Sequence, residues 1–260
     1  MKITLFSSNQ PRHLNLAREL SSIADTVYFV SEVNTVFPGK IGDFFKKSET
    51  MQEYFQHVID AERKVFGEIG FLPNNVKTLS MKSGDLNLAS TVQFADALES
   101  NVYIVFGASY IKGWLIDFLV DRGALNIHMG VSPYYRGSSC NFWALYDGNP
   151  SYVGATIHML SKGLDSGNML FHCMPKLFKD DSLFDFTMRS VAVAHKGLVE
   201  AVTSGEIFSM PKVKQDKTLE IRYTKNADFT DSVASEFLDR KMDIHSNDFK
   251  YPNLLNPVSF

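Results

Sequence analysis

The amino-acid sequence predicts an α/β fold with a mostly parallel central sheet flanked by helices. Residues 2–6 form an apolar strand, the polar turn SSNQPRH follows, a helix begins at Pro11, and residues 26–30 form a second strand. Further apolar strands alternate with helical segments along most of the chain. This strand–helix–strand opening is typical of a Rossmann-like sheet, in which ligand phosphates lie over the first turn.

The remaining elements follow in chain order. Residues 42–70 have helical periodicity and many aromatic side chains, so we expect them to pack in the core, although they could also form a wall of a substrate site. Residues 101–106 (NVYIVF) are strongly apolar and predict a central strand. The other predicted strands are residues 77–81, 124–128, 153–160, 169–175 and 219–224, and the other predicted helices are residues 86–98, 114–120, 141–146, 183–202 and 231–238.

Composition excludes several classes of function. The formal net charge of the 260-residue chain is −3, so there is no electrostatic basis for broad nucleic-acid binding. The turn after the first strand lacks GxGxxG, so we expect neither a nicotinamide nor a flavin cofactor. Cys140 and Cys173 form no CxxC or Cys/His pair, which predicts reduced thiols and no metal site. Neither a membrane span nor a signal peptide is predicted, so we expect a cytoplasmic protein.

The strand at residues 124–128 carries two candidate catalytic side chains. Asn126 and His128 are two residues apart, which places them on one face of a strand. An amide can stabilise a developing oxyanion, and an imidazole moves protons near neutral pH. Asp165, between Gly163 and Gly167, could supply a carboxylate that orients the imidazole. On spacing alone, an Asn and a His on a strand are more often ordinary core or edge residues.

Four blocks in a fixed order favour the catalytic interpretation. They are NIH at 126–128, SPYYRG at 132–137, GATIH at 154–158 and GLDSG at 163–167. Together they resemble the folate-dependent formyltransferases, closely over residues 102–170 and loosely over the flanks. The resemblance implies a Rossmann-like formyltransferase fold and 10-formyltetrahydrofolate as the formyl donor. It also implies that Asn126, His128 and Asp165 are catalytic. It leaves the role of His158 unresolved, with a packed or solvent-facing side chain favoured over a functional one.

The resemblance also suggests binding residues and a domain division. It points to folate contacts from the backbone and apolar groups of two segments: Phe106, Gly107, Ala108, Ser109, Tyr110, Ile111, Leu160, Ser161 and Gly163. Position and chemistry place Ser8, Asn9, Arg12 and His13 near a substrate diphosphate, although a helix N-cap with exposed basic residues explains them about equally well. Arg136 and Gly137 are assigned either to the shape of their loop or to substrate contact. For Arg136 and Gly137 the alternative is a rigid turn with positive φ at Gly137. We expect residues 1–205 to form the catalytic domain and residues 206–260 a short C-terminal extension packed on the core.

The members of this family differ in their acceptors, and the sequence favours one group. Methionyl-tRNA formyltransferases carry a longer C-terminal domain and a basic surface, and glycinamide ribonucleotide formyltransferases carry a GNGSN-like turn where this chain has SSNQPRH. The chain is most similar to the sugar-nucleotide N-formyltransferases, in particular the GDP-perosamine type of O-antigen and lipopolysaccharide biosynthesis. A dTDP-amino sugar, a formyltetrahydrofolate hydrolase and a non-enzymatic binding module are the alternatives. We expect a homodimer that binds a nucleotide-linked amino sugar and folate, with neither nucleic acid nor a membrane as partner.

Overall fold

A seven-stranded sheet lies at the centre of the chain. The computed structural model describes residues 1–35, 48–240, 242–245 and 249–260. The strand order is β3-β2-β1-β4-β5-β7-β8, and β6 and β9 form a separate two-stranded sheet. The strands are β1 (Lys2–Ser8), β2 (Thr26–Val33), β3 (Val76–Lys82), β4 (Val102–Phe106), β5 (Leu125–His128), β6 (Tyr135–Gly137), β7 (Ala155–Met159), β8 (Met169–Cys173) and β9 (Arg222–Thr224).

The strand directions confirm the predicted α/β fold. The pairs β1–β2, β2–β3, β1–β4 and β4–β5 are parallel, whereas β7 runs antiparallel to both β5 and β8. All five residues of β4 are buried, as expected for a central strand covered on both faces. The chain order reverses between β1 and β4. In sheets of this kind ligands bind in the crevice at the carboxyl ends of the strands beside such a reversal.

Six α-helices flank the sheet within the described residues. Pro11 opens the first helix, where its missing N–H costs no hydrogen bond. The side chain of Ser182 accepts from the backbone N–H of Asp185 in a capping box that begins the longest helix. The helices are α1 (Pro11–Ser21), α2 (Glu49–Phe66), α3 (Gly113–Asp121), α4 (Cys140–Tyr146), α5 (Leu183–Thr203) and α6 (Asp231–Asp239).

Two predicted helices differ from the observed structure. The prediction of a helix at residues 86–98 is wrong, because this segment contains only short 3-10 turns at Asp85–Leu88 and Ala97–Glu99. Polar side chains here bind backbone groups instead: Asn87 donates to the carbonyl of Tyr110 and accepts from the N–H of Lys112. The predicted helix at residues 42–70 is confirmed where α2 covers it, and residues 42–47 lie outside the described residues.

The segment after residue 205 packs against the rest of the chain. Strand β9 pairs with β6, and isolated bridges join Met169 to Val213 and Cys173 to Val258. Phe237 of α6 belongs to a buried aromatic cluster with residues of α2 and α4. The boundary at residue 205 stays a prediction. Among the described residues, no helix combines the length and apolar character that crossing a membrane requires.

Candidate active site

Two neighbouring strands bring three polar side chains together at the centre of the predicted site. Asn126 and His128 lie on one face of β5, and both are buried. In the antiparallel pairing of β5 with β7, His158 is the direct partner of Asn126. The Nδ2 atom of Asn126 lies 3.0 Å from Nε2 of His158 and 3.3 Å from Oδ1 of Asp165. The predicted catalytic residues are therefore in direct contact.

The loop between β7 and β8 aims the carboxylate of Asp165 at His128. The Oδ2 atom of Asp165 lies 3.3 Å from Nδ1 of His128. Asp165 has a φ of 43°, a left-handed conformation that few residues adopt. The side-chain amide of Gln215 donates to the carbonyls of Asp165, at 2.8 Å, and Gly167, at 2.9 Å. These bonds fix the unusual loop conformation from outside, so the carboxylate is positioned before any ligand arrives.

His128 is held as an imidazolium. Its Nδ1 faces the Asp165 carboxylate, and its Nε2 lies 3.4 Å from the carbonyl oxygen of Tyr135. Both groups only accept hydrogen bonds, so each ring nitrogen is matched to a donor role. Burial lowers the pKa of His128, but the charge and hydrogen bond of Asp165, together with the contact with Cys140, outweigh burial and raise that pKa well above its ordinary value.

The Asp165 carboxyl group shows the complementary effect. Burial raises the pKa of Asp165, but the charge and hydrogen bond of His128 hold that pKa well below its ordinary value. At neutral pH the two groups therefore form an imidazolium–carboxylate pair. Such a pair keeps a proton donor next to a negative charge, with both side chains largely removed from solvent.

His158 is the member of the site whose role the sequence left open. It is 1% exposed, and its Nδ1 lies 2.8 Å from the carbonyl of Met159. With Nδ1 donating to that carbonyl, Nε2 is free to accept from the amide of Asn126. His158 is therefore a packed side chain, and its Nε2 is in contact with the amide of Asn126. The GATIH block contained the signal, but only the β5–β7 register shows which residue faces His158.

The two segments predicted to contact folate lie side by side. The hydroxyl of Tyr110 donates to the carbonyl of Lys162 at 2.8 Å and joins residues 106–111 to residues 160–163. Gly107 has a φ of 62°, and a Cβ there would lie 2.6 Å from Cε1 of His13. Glycine is thus required where this loop passes over the first helix.

Burial decides which atoms of these segments can reach a ligand. Phe106 and Ile111 are buried in the core, and the N–H and hydroxyl of Ser109 both bind the buried carboxylate of Glu32. Tyr110 is 52% exposed and Leu164 is 47% exposed. What remains accessible to a ligand is backbone together with the side chains of Tyr110 and Leu164. Such a surface suits a flat heterocycle with hydrogen-bonding edges, so the segments fit a pterin. Ala108, Leu160, Ser161 and Gly163 belong to the same paired segments.

The four residues predicted near a diphosphate have different environments. Arg12 lines the cavity described below, and its Nη1 donates to the buried carboxylate of Glu62 at 2.8 Å. Ser8 donates to the carbonyl of Glu32, and Asn9 bonds the backbone of Asn34. These bonds tie the turn after β1 to the end of β2.

His13 lies beneath the site and not on its surface. It is 2% exposed, its Nδ1 lies 2.7 Å from the hydroxyl of Ser7, and its ring packs on Phe106 at 4.7 Å between centroids. Burial lowers the pKa of His13 well below its ordinary value, so the ring is neutral. The burial and neutrality of His13 argue against direct contact with a diphosphate.

Arg136 and Gly137 follow the rigid-turn interpretation. Arg136 is buried, and its Nη1 donates to Glu220 at 2.8 Å. Gly137 has a φ of 89°, and a Cβ there would lie 1.9 Å from the carbonyl oxygen of Thr224. Gly137 nevertheless lines the cavity beside His128, so its backbone is available to a ligand there.

An open cavity of about 680 Å³ adjoins His128. Arg12, Gly137 and Cys140 lie on its walls. Six aromatic side chains of α2, α4, α5, α6 and the segment before α6 line it: Tyr54, Phe55, Phe142, Phe184, Phe229 and Phe237. The cavity is large enough for a small organic substrate. Within the described parts of the chain, no cluster of three or more His, Cys, Asp or Glu residues could hold a metal ion.

Comparison with known proteins shows the family. A family model described as formyl transferase matches residues 73–202, which is half of the chain. The chain belongs to the formyl transferase family. The matched region contains Asn126, His128, His158 and Asp165, so all four polar residues of the site lie within the family domain.

Individual proteins that match the chain do so over a limited stretch. A methionyl-tRNA formyltransferase from Anaeromyxobacter dehalogenans is 31% identical over 120 residues, which are 46% of this chain and 38% of the relative. The chain thus matches well under half of the length of that protein.

Solved structures share the fold. A sugar N-formyltransferase from Shewanella has a TM-score of 0.52 at 17% identity, covering 88% of this chain and 78% of the other. An N-formyltransferase from Helicobacter canadensis, solved with folinic acid and dTDP-3-aminofucose, has a TM-score of 0.51 at 12% identity, covering 96% and 77%.

Proposed function

We propose that the chain transfers a formyl group from 10-formyltetrahydrofolate to the amino group of a nucleotide-linked amino sugar. The observation that carries the proposal is the contact between His128 and Asp165, with Asn126 beside them, at the edge of a substrate-sized cavity. A binding module would not need an amide, an imidazolium and a carboxylate in contact. Membership of the formyl transferase family supports the same chemistry.

The folate supplies an activated formyl carbonyl carbon. A neutral acceptor amine forms a C–N bond to that carbon, and the bond from the carbon to the folate nitrogen breaks. His128 donates its Nε2–H toward the carbonyl oxygen as negative charge develops there. Asn126 exchanges its longer, 3.3 Å bond to Asp165 for a bond to the same oxygen. One well-aligned donor of this kind is worth about 3 kcal/mol in the transition state.

Asp165 has two roles in this proposal. Its carboxylate keeps His128 protonated and oriented, and it accepts the proton that the amine loses on attack. The proton taken from the amine passes on to the folate nitrogen as the bond between that nitrogen and the formyl carbon breaks. The amine is neutral before it attacks, and the products are the formylated amine, an amide, and tetrahydrofolate. Proton transfer by positioned groups contributes roughly 10²- to 10⁴-fold. The backbone of residues 106–111 and 160–163 would hold the pterin.

The aromatic cavity would hold the acceptor. Sugar N-formyltransferases are among the proteins with this fold, and the one from Helicobacter canadensis was solved with a dTDP-linked amino sugar. In our proposal the sugar amine lies at His128, Arg12 faces the diphosphate, and the base stacks on the aromatic side chains. The more specific proposal is a 4-amino-4,6-dideoxy sugar on GDP, GDP-perosamine, which would serve O-antigen or lipopolysaccharide biosynthesis.

One cavity residue supports guanine over thymine. Asp231, at the start of α6, lines the same cavity and is exposed. A carboxylate only accepts hydrogen bonds, and guanine presents two adjacent donors, N1–H and N2–H₂, on one edge. Thymine presents a single N3–H between two acceptors. A dTDP-linked sugar therefore remains the second choice of acceptor.

A hydrolase is the competing enzyme class, because Asn126, His128 and Asp165 could direct water to the same carbonyl. The test incubates the protein with 10-formyltetrahydrofolate and a panel of GDP-, dTDP- and UDP-linked amino sugars, followed by mass spectrometry. We expect a GDP-4-amino sugar that gains one formyl group in place of a hydrogen. Product from dTDP-sugars alone would overturn the choice of base. Formate release with no formylated sugar would identify the hydrolase.

The variant Asp231→Asn sharpens the choice of base. It should raise the KM for a GDP-sugar by roughly 10-fold, the effect of one lost charge-assisted hydrogen bond. Asp239→Asn, at the other end of α6, is the matched control. Equal KM values for Asp231→Asn and Asp239→Asn would remove Asp231 from base recognition.

The predicted homodimer is tested separately by light scattering, in which a monomer would contradict it.

A further inference from the structure

Cys140 contacts the side of His128 that faces away from Asp165. Its Sγ lies 3.5 Å from Nε2 of His128 and 3.4 Å from the carbonyl oxygen of Gly137. The side chain is 1% exposed and lines the cavity. Nothing in the proposed transfer assigns this thiol a role, although it is in contact with the nitrogen that would donate the proton.

The backbone around Cys140 adopts unusual conformations that produce this contact. Cys140 begins α4, and the preceding residue, Ser139, has a φ of 55°, which costs free energy for a residue with a side chain. Gly137, two residues earlier, has a φ of 89°. Conformations of this kind persist only when the surrounding structure enforces them. The turn at residues 137–139 therefore delivers the thiol to a defined place.

Gly130 also limits the space around the contact between Cys140 and His128. A Cβ on Gly130 would lie 2.5 Å from Cβ of Cys140 and 2.8 Å from Nε2 of His128. Any larger residue at this position would separate the thiol from the imidazole. The glycine therefore permits the close approach of the end of β5 to the start of α4.

The two bonds of the thiol have a fixed direction. The carbonyl of Gly137 only accepts, so the S–H donates to it, and the sulfur lone pairs face Nε2–H of His128. A sulfur atom is a weak acceptor, and the carbonyl of Tyr135 is at a long distance of 3.4 Å. The Nε2 proton therefore points toward the Cys140 sulfur and the Tyr135 carbonyl, but its hydrogen bonds to both are weak.

We propose that Cys140 is a positioning residue that fixes the ring of His128 and supports its protonated form through the contact of Sγ with Nε2. The catalytic consequence of this role rests on the proposed formyl transfer. The effect on His128 itself does not, because it is a property of the free protein. Cys173 is the matched control, since it is the other thiol of the chain and lies fully buried on β8.

The test follows the imidazole of His128 by NMR in protein labelled at histidine, with His128→Gln used to assign the signal. The variants are Cys140→Ala, Cys140→Ser and Cys173→Ala. We expect Cys140→Ala to lower the titration midpoint of His128 by about 0.5 to 1 pH unit, because one acceptor of the charged ring is lost. Cys140→Ser should fall between Cys140→Ala and the wild type, because a hydroxyl keeps an acceptor but reaches less far. Cys173→Ala should titrate as the wild type.

A His128 midpoint in Cys140→Ala that equals the wild-type value would overturn the proposal. The remaining histidine signals and the circular dichroism spectrum show whether each variant is folded, and Cys140→Ser keeps the test available should Cys140→Ala unfold. In the transfer assay we expect Cys140→Ala to lower kcat about 10-fold with little change in KM. If the wild type transfers no formyl group at all, the proposed function fails, and the titration still decides the role of Cys140.

Discussion

Replacing Asp165 with asparagine removes the charge that keeps His128 protonated. Asparagine tolerates the left-handed φ of 43° at this position, so the loop should keep its conformation. The Oδ2–Nδ1 distance is 3.3 Å. Two unit charges at that distance interact by about 5 kcal/mol at an effective dielectric constant of 20, which corresponds to an upper limit of between three and four pKa units.

Burial opposes this effect, so without the carboxylate the imidazole of His128 should titrate at or below its ordinary value of about 6.5. At pH 7.5 fewer than about one ring in ten would then carry the proton that the transition state needs. The loss of the proton acceptor adds to this effect. We expect kcat to fall roughly 10²- to 10⁴-fold with little change in the KM of either substrate.

The assay measures formylated product over time at several pH values, together with the NMR titration of His128. Asp121→Asn, a change at an exposed carboxylate at the end of α3, is the control for the loss of one negative charge. If Asp165→Asn kept kcat within threefold of the wild type and left the His128 titration unchanged, the ion pair would have no part in the reaction.

Three further changes test other parts of the account. Asn126→Ala should lower kcat by roughly 10²- to 10³-fold at constant KM, because an oxyanion donor is lost. His158→Ala should reproduce part of that loss. A wild-type kcat in either variant would contradict the hydrogen-bond arrangement. Gly137→Ala should lower the free energy of unfolding by about 2 kcal/mol or more in urea titrations, because the new Cβ would lie 1.9 Å from the carbonyl oxygen of Thr224; a wild-type value would refute the tight turn. Burial lowers the pKa of His195 to about 3, so above pH 6.5 this group is neutral in both states, and below pH 6.5 only the unfolded chain takes up the proton. This one group should then lower the free energy of unfolding by about 2 kcal/mol between pH 6.5 and 5, in addition to the fall caused by other buried histidines such as His13. The fall in His195→Leu should be smaller by that amount; equal pH dependence in that variant and the wild type would contradict the assignment.

Local sequence patterns were sufficient for most of the fold. Apolar strands such as β4 and helices with periodic apolar residues such as α5 were predicted because their signals lie within a few neighbouring residues. The predicted helix at residues 86–98 was wrong because Asn87 uses its side chain to bind residues 110 and 112, which are far away in the sequence. Single-residue propensities contain no information about such contacts.

The site shows the same contrast between local sequence patterns and contacts that depend on the fold. Asn126, His128 and Asp165 were predicted from ordered sequence blocks, and the structure brings them into contact. His158 and Cys140 could not be assigned, because their neighbours depend on strand register and on the turn before α4. A two-residue spacing on a strand places two side chains on one face, but it does not identify the residue on the next strand.

The most direct test of the proposed transfer follows the formyl carbon itself. Folate carrying a ¹³C-labelled formyl group is mixed with the protein and a GDP-linked 4-amino sugar, and NMR measures how the label divides between the sugar amide and free formate. The account predicts that the label enters the sugar amide, that it does so only when the amino sugar is present, and that His128→Ala abolishes the transfer. Label that appears only in formate, at a rate independent of the amino sugar, would contradict it.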